Sequence, residues 1–301
     1  MKVVVTGSHG LIGGALRASL QEAGHDVTRL VRGSAAHGIG RAVSWDPAGG
    51  TVDAEGLEGH DAVVHLAGAG VGDHRWTESY KAEIRDSRVR GTDLLARTLA
   101  ALRDPPRVLA SGSAVGFYGD RGDEELTEAD GPGDGFLSEV VQAWEKAAEP
   151  ANDAGIRVVR LRTGVVMSCK GGALRKQLLP FKLGIGGRLG TGRQYLSWIA
   201  ITDLVAAITH TLADESMAGP VNLTAPNPVT NAEFTRTLGR VLHRPTVLPV
   251  PNLALHALFG REMTNDQLLG GQRVLPAALT AAGFTFAHPQ LEPALRHELA
   301  G

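Results

Sequence analysis

Three glycines at intervals of three residues, in Thr6-Gly7-Ser8-His9-Gly10-Leu11-Ile12-Gly13, are the first feature of the sequence equipped for chemistry. They follow the strand-like Val3-Val4-Val5 and open an amphipathic stretch. In such a pattern the first glycine permits a tight turn, the second lets backbone approach a pyrophosphate, and the third lets helix pack closely on strand. The unpaired N–H groups of the helix N-terminus then face the phosphates. The expected activity is dinucleotide binding, with Thr6, Gly7, Gly10, Leu11, Ile12 and Gly13 forming the cradle. An NAD site places an acid about 20 residues further on, at the end of the second strand, to hold the ribose hydroxyls. Here that stretch reads Leu30-Val31-Arg32-Gly33-Ser34, without an acid. The planar fork of an arginine matches phosphate oxygens, so Arg32 points to a 2′-phosphate and to NADP(H).

Other candidate groups are weaker. The eleven histidines include no H-x-x-x-H and no H-E-x-x-H, so no metal site is expected. Lys176, Arg188 and Arg193 stand among the glycines of 171–198. They suit an anionic substrate group such as a diphosphate, or simply solvated loop charges. Trp198 could stack on a flat ligand or fill a core.

The elements that must position these groups are legible as alternating apolar runs. Strands are expected at 1–6, 26–31, 61–67, 107–111 and 156–161, and helices at 11–23, 78–102, 136–154, 199–212 and 231–242. Asn231 is the expected cap of the last helix, with Phe234 on its buried side. Continuous apolar strands between helices imply an α/β, doubly wound parallel sheet of the Rossmann kind. Residues 1–165 are expected to form the nucleotide-binding domain, its sheet completed by later segments. A smaller substrate-side region is expected over 166–301, with a C-terminal module at about 250–301. The chain has 301 residues, 43% of them apolar, enough for a large core. A net charge of -2 with no basic stripe argues against a nucleic-acid partner. The single cysteine, Cys169, cannot make an internal disulfide and fits a reducing compartment. With no charged leader and no apolar run of about 18 residues, the expectation is a soluble cytoplasmic protein that acts on a small molecule away from the membrane. Self-association stays open.

Longer motifs carry a family resemblance. They are Val5-Thr6-Gly7-Ser8-His9-Gly10-Leu11-Ile12-Gly13, Asp61-Ala62-Val63-Val64-His65-Leu66-Ala67-Gly68 and Ser111-Gly112-Ser113-Ala114-Val115-Gly116-Phe117-Tyr118-Gly119. Phe136-Leu137-Ser138-Glu139-Val140, Leu161-Arg162-Thr163-Gly164-Val165, Ser197-Trp198-Ile199 and Asn222-Leu223-Thr224-Ala225-Pro226-Asn227-Pro228 continue the series. The chain resembles the extended short-chain dehydrogenase/reductases, and within them the atypical epimerase-family proteins known as nucleoside-diphosphate sugar epimerases. The stretch 261–299 is similar to the small C-terminal module of that subgroup. The resemblance implies cofactor along the strand ends. Leu66, Ala67 and Gly68 would lie by the adenosine side, Ser111, Gly112 and Ser113 by the nicotinamide ribose, and Arg162 near the nicotinamide.

The resemblance also exposes a catalytic gap. Extended members use a Ser or Thr after the fourth strand and a Tyr-x-x-x-Lys on the next helix to move a proton at the substrate oxygen. Ser113 matches the first position, but Phe136 stands for the Tyr and Val140 for the Lys. Substitutes are Tyr118, in the loop of Ser113, and Glu139, one turn beyond Phe136. A carboxyl buried among apolar groups can be raised into a donor. The alternatives are packing for Tyr118, local surface pairing for Glu139 and, more strongly, for Glu145, and a cofactor hydrogen bond alone for Ser113. Relatives also carry His where Trp198-Ile199-Ala200-Ile201-Thr202-Asp203-Leu204 has Ala200, and Asp203 is expected to cap the helix that follows. Two functions remain: an NADP(H)-dependent oxidoreductase or epimerase-like enzyme with a non-standard proton donor, using Ser113, Tyr118 and Glu139, or a non-catalytic NADP(H)-binding sensor or interaction protein.

Overall fold

The computed structural model describes residues 1–33 and 40–300. Ser34, the last residue of the Arg32 stretch, lies outside them. The chain runs β1 (Lys2–Thr6), α1 (Leu11–Glu22), β2 (Asp26–Arg32), β3 (Ala42–Asp46), β4 (Thr51–Val52), β5 (Ala62–His65), α2 (Glu78–Ala100) and β6 (Val108–Ala114). It continues with β7 (Glu125–Leu126), α3 (Phe136–Lys146), α4 (Glu149–Asp153), β8 (Arg157–Thr163), β9 (Val165–Met167), α5 (Gly172–Lys182), β10 (Tyr195–Leu196), β11 (Trp198–Ala200) and α6 (Ile201–Ala213). The rest comprises β12 (Gly219–Leu223), β13 (Val229–Thr230), α7 (Asn231–Leu242), α8 (Asn252–Phe259), α9 (Arg261–Met263), β14 (Arg273–Val274), α10 (Ala277–Ala281) and α11 (Leu291–Ala300).

Eight strands form the main sheet in the order β12-β8-β6-β5-β1-β2-β3-β4, parallel except for the β3–β4 pair. Val3, Val4 and Val5 of β1 and Val63 and Val64 of β5 are fully buried, because helices cover both faces. On one face Leu16 and Leu20 of α1 pack with Leu204, Ile208 and Leu212 of α6. On the other, Leu95 and Leu99 of α2 pack with Ala148 and Ala151 and with Trp45 of β3. The chain leaves β1 for β2 and β3, then returns to β5 on the other side of β1. The switch point between β1 and β5 is where such sheets hold ligands. A further core gathers Leu174 and Phe181 of α5, Phe234 and Leu238 of α7, and Leu291 and Leu295 of α11 around the short strands β9 and β11. No helix among the described residues is long and apolar enough to cross a membrane.

The structure corrects three local expectations. The stretch 136–154 is two helices, broken at Ala147 and Ala148, with Pro150 in the first turn of α4, where its missing N–H costs nothing. Thr230, one residue before Asn231, caps α7 by accepting from the Glu233 N–H, and the Asn231 side-chain Oδ1 accepts from the Leu189 N–H instead. Asp203 lies inside the first turn of α6 and does not cap it. Its buried carboxylate accepts the N–H groups of Ala287 and His288 at 2.8 and 2.9 Å, so it fastens the C-terminal segment to the core. Asp203→Ala frees both donors. It is expected to cost about 2 kcal/mol and to raise amide exchange selectively over 284–300, measured by denaturation and hydrogen exchange.

Candidate functional site

Backbone crowding dictates the glycines of the turn. A Cβ on Gly13 would lie 2.3 Å from the Gly7 carbonyl oxygen, and one on Gly7, which sits at φ +62°, would lie 2.8 Å from the Leu66 carbonyl oxygen. The loop after β1 therefore rests directly on the loop after β5. Thr6 joins the two: its Oγ1 pairs with His65 Nδ1 at 2.8 Å and accepts from the N–H groups of Leu66 and Ala67 at 2.9 and 3.1 Å. Since that oxygen accepts from two backbone donors, its own proton goes to His65. Helix α1 begins after Gly10 with no side-chain cap and no acid in its first turn. Its leading N–H groups are left for an anion. Arg32 ends β2, exposed, at the same edge of the sheet. Ser111, in the middle of β6 opposite His65 at the end of β5, is buried, and its Oγ has no partner among the described residues. A cradle that excludes any Cβ, an uncapped helix start and an orphaned hydroxyl fit a dinucleotide. Gly112 has a packing reason of its own, since a Cβ there would meet the Trp144 ring at 2.7 Å.

Beyond the cradle lies a buried polar network. Ser113 Oγ donates to Glu145 Oε1 at 2.6 Å. Arg162 forks onto the same carboxylate, Nε to Oε1 at 2.8 Å and Nη2 to Oε2 at 3.0 Å. The third nitrogen of Arg162 donates to the Tyr118 hydroxyl at 3.0 Å, and that hydroxyl donates to Asn222 Oδ1 at 2.8 Å. Burial alone would lower the Arg162 pKa, but the hydrogen bonds and charge of Glu145 more than offset it and the net shift is upward. Burial raises the Tyr118 hydroxyl, opposed by Arg162. Tyr118 is fully buried, its proton held by Asn222.

The carboxylate beside Ser113 is thus Glu145, not Glu139. Glu139 is exposed on α3, whereas Ser138, Val141 and Glu145 share the buried face. That three- and four-residue spacing was the available signal for Glu145. The places compared with Tyr and Lys are apolar. Phe136 meets Trp76 edge to face, with Lys81 Nζ 4.9 Å from its ring, and Val140 packs on Tyr80 and Ile84.

Sequence reasoning missed two further groups. Arg88 of α2 lies against Gly68, 3.3 Å from where its Cβ would be, with its guanidinium 5.1 Å over the Trp144 ring. Burial pushes its pKa down to about 10, and no carboxylate pairs with it among the described residues. Asp266 sits on a π-helical turn, Thr264–Leu269, where a Cβ on Gly135 would lie 3.2 Å from its Oδ2. It takes the Phe136 N–H, capping α3 where Gly135 has no side chain to do so. Neither had a local sequence signal.

The other candidates are placed as follows. Trp198 is wholly buried and donates to the Asn227 carbonyl. Lys176 donates to Gly72 O and pairs with Asp73, while Arg188 donates to Thr191 O. No cluster of three or more His, Cys, Asp or Glu among the described residues could hold a metal.

Two outcomes test this geometry. Gly13→Ala forces the Gly7 carbonyl to move, so it is expected to abolish dinucleotide binding and to lower stability by about 1–3 kcal/mol, read by ligand titration and thermal melting. His65 is wholly buried, and burial lowers its pKa from 6.5 to about 4. The fold holds the neutral ring. Its contribution is complete above pH 6.5 and is lost as pH falls to about 4, for a loss of about 3 kcal/mol. NMR titration should find this imidazole still neutral at about pH 5; titration near the unfolded value would contradict the assignment.

Comparison with known proteins agrees with this arrangement. A family model described as the NAD dependent epimerase/dehydratase family matches residues 3–223, and a domain of unknown function (DUF1731) matches residues 250–298. An epimerase family protein of Mycobacterium tuberculosis is 45% identical over 97% of this chain and 96% of its own length. The crystal structure of the human epimerase family protein SDR39U1 with NADPH superposes with a TM-score of 0.90 at 37% identity, covering 100% of this chain and 99% of that one. A nucleoside-diphosphate sugar epimerase from Corynebacterium glutamicum superposes with a TM-score of 0.80 at 40% identity, over 99% of this chain and 58% of that one. The chain belongs to the NAD-dependent epimerase/dehydratase family.

Proposed function

We propose that the chain binds NADP(H) and acts as an oxidoreductase or epimerase-like enzyme on a carbonyl or alcohol substrate, with Ser113 and Glu145 carrying the proton. The cofactor half rests on the Gly-only cradle at the β1–β5 switch point and on Arg32 standing where an acid would select NAD. Binding of NADPH by the human relative supports it. The cofactor, when bound, supplies or takes up a hydride at the substrate carbon.

The single observation that carries the chemical half is the short hydrogen bond from Ser113 to Glu145 at the C-terminal end of β6. In the oxidation direction Ser113 Oγ takes the substrate hydroxyl proton as its own passes to the Glu145 carboxylate. In reduction both protons return. Arg162 forks onto the Glu145 carboxylate and fixes its orientation toward Ser113, and Arg88, with no ionic partner beside Gly68, offers charge to the substrate oxygen. The aromatic and aliphatic cluster of Trp76, Phe136, Tyr80 and Val140 excludes water where other members place Tyr and Lys. That same cluster favours a second reading, NADP(H) binding without turnover.

The test is to load the purified chain with NADPH, follow its fluorescence and offer a panel of carbonyl compounds. Oxidation by at least one of them is expected. Ser113→Ala should cut that rate by about 10²–10⁴, the range of general acid–base catalysis, with NADPH affinity held. Tight binding with no oxidation across the panel would establish the non-catalytic reading instead.

A further inference from the structure

Nine large apolar side chains are exposed among the described residues, and eight of them fall in two segments, 179–185 and 247–259. Single exposed leucines are ordinary on a protein surface, but a gathering of them is not. The fold brings the two segments together. The Val250 N–H donates to the Arg188 carbonyl at 2.8 Å, the Gly190 N–H to the Val250 carbonyl at 3.1 Å, and Arg244 Nε to the Lys182 carbonyl at 2.9 Å. The stretch with Leu183 and Ile185 therefore runs beside the stretch with Val247 and Leu248. Val247 is 84% exposed and Leu253 81%, so these side chains stand clear of their own neighbours. The chain then enters α8, where Leu253, Ala257 and Leu258 face outward and Leu255 faces the core. A surface helix ordinarily turns charged residues to water, and α8 contains no Lys, Arg, Asp or Glu. Charge is the second observation. Residues 172–193 and 241–261 hold seven Lys and Arg and none of the 32 Asp and Glu of the chain. Six of the seven, Arg175, Lys182, Arg188, Arg193, Arg244 and Arg261, are exposed and form no ion pair among the described residues. The acids at the margin, Asp73 and Glu262, are each held by a lysine, Lys176 and Lys81.

From this arrangement we infer that the surface docks on a lipid bilayer that carries anionic headgroups. Helix α8 and the C-terminal end of α5 enter its apolar boundary, and the surrounding cations meet the headgroups. Binding in the plane of the interface needs no spanning helix; it takes projecting apolar side chains with Lys and Arg around them. Long cationic side chains lay their stems along apolar surface and keep their charge at headgroup level. Two other occupants fit less well. A second copy set on the same face by a two-fold axis would bring this array of cations against itself. An acidic protein would have to offer a shaped pocket for each projecting side chain, whereas a fluid bilayer admits any arrangement of them. The surface adjoins the candidate site, since α5 sends Lys176 to the Gly72 carbonyl in the loop after β5. The inference stands independently of the reaction proposed above.

The probes are vesicles of phosphatidylcholine alone and of phosphatidylcholine mixed with phosphatidylglycerol, and binding of the purified full chain is followed by flotation. The chain should bind the mixed vesicles about tenfold or more tighter than the neutral ones, and added salt should weaken that binding by screening exposed charges. Leu253→Ser with Leu258→Ser should weaken it by about tenfold or more, the scale of returning two leucine side chains to water. Lys182→Glu with Arg261→Glu should weaken it as much, through charge. All four positions are exposed, so the melting temperature and the NADPH affinity of both variants should match wild type. The two pairs differ in element and in chemistry, so a folding failure in one leaves the other to decide. Equal binding to both kinds of vesicle, or undiminished binding by the variants, would overturn the inference. A chain that binds neither vesicle overturns it outright, and a dimer split by the leucine substitutions would then assign the surface to a second copy. NADPH titration of the same samples reads the cofactor proposal separately, so the two can fail independently.

Discussion

The contact of the Gly7 and Gly13 backbone with each other and with Leu66 is the constraint on which the upper face of the sheet depends. Three chain segments meet there at distances that admit no Cβ. Helix α1 starts where it does because Gly13 rides on the Gly7 carbonyl, and the loops after β1 and β5 share one hydroxyl, that of Thr6. This contact fixes the separation of the two strand ends across the switch point. It also fixes the position of the α1 N–H groups, of His9 and of Ala67 and Gly68. A Ser or Ala at either glycine would not merely weaken a ligand contact but would push these loops apart.

The second fixed point is the Glu145–Arg162 pair. Burying two charges costs several kcal/mol per ion unless nearly every donor and acceptor is used. Here they are: three Arg162 nitrogens, both Glu145 oxygens, the Ser113 and Tyr118 hydroxyls and the Asn222 side chain all find partners. Asn222 in turn donates to the Leu275 carbonyl, while its N–H goes to Glu128, which also takes the Ala278 N–H. The network spans β6, α3, β8, β12 and the start of α10. A pair of this kind adds little net stability compared with apolar residues of the same volume. It specifies how α3 and the C-terminal segment sit on the sheet, and so where Ser113 points.

Local rules explain which features the sequence made legible. The glycine turn and the central parallel strands follow from neighbours along the chain, and β1, β2, β5, β6, β8 and α1 lie within a few residues of expectation. Errors arose where a neighbour in space competes. Asp203 looked like a cap and instead holds backbone 84 residues away. Glu139 and Glu145 are both carboxylates on one helix, and only the register of α3 against β6 decides which meets Ser113. Strands β3 and β12 went unread because one is short and mixed in polarity and the other contains Gly219 and Pro220. Arg88 and Asp266 were invisible in principle, since their meaning comes entirely from Gly68 and Gly135, far away in sequence.

These placements bear on why the chain can lack Tyr and Lys on α3. In the family pattern one tyrosine supplies both a proton and a charge-tuned hydroxyl, and a lysine sets its acidity. Here the same volume is filled by Phe136, Trp76 and Val140. In the proposed reaction the polar tasks are divided among groups from other elements: a hydroxyl on β6, a carboxylate on the far half of α3 and a cation on α2. Dividing them separates proton affinity from electrostatic stabilisation. Glu145 is oriented by the Arg162 fork, with one of its oxygens also accepting from Ser113. In the proposed reaction Arg88 stays charged throughout and stabilises a developing oxyanion without giving up its proton. Under the proposed reading such a site suits a substrate whose oxygen carries developing negative charge, and the proton path runs without the single residue by which this chemistry is ordinarily recognised.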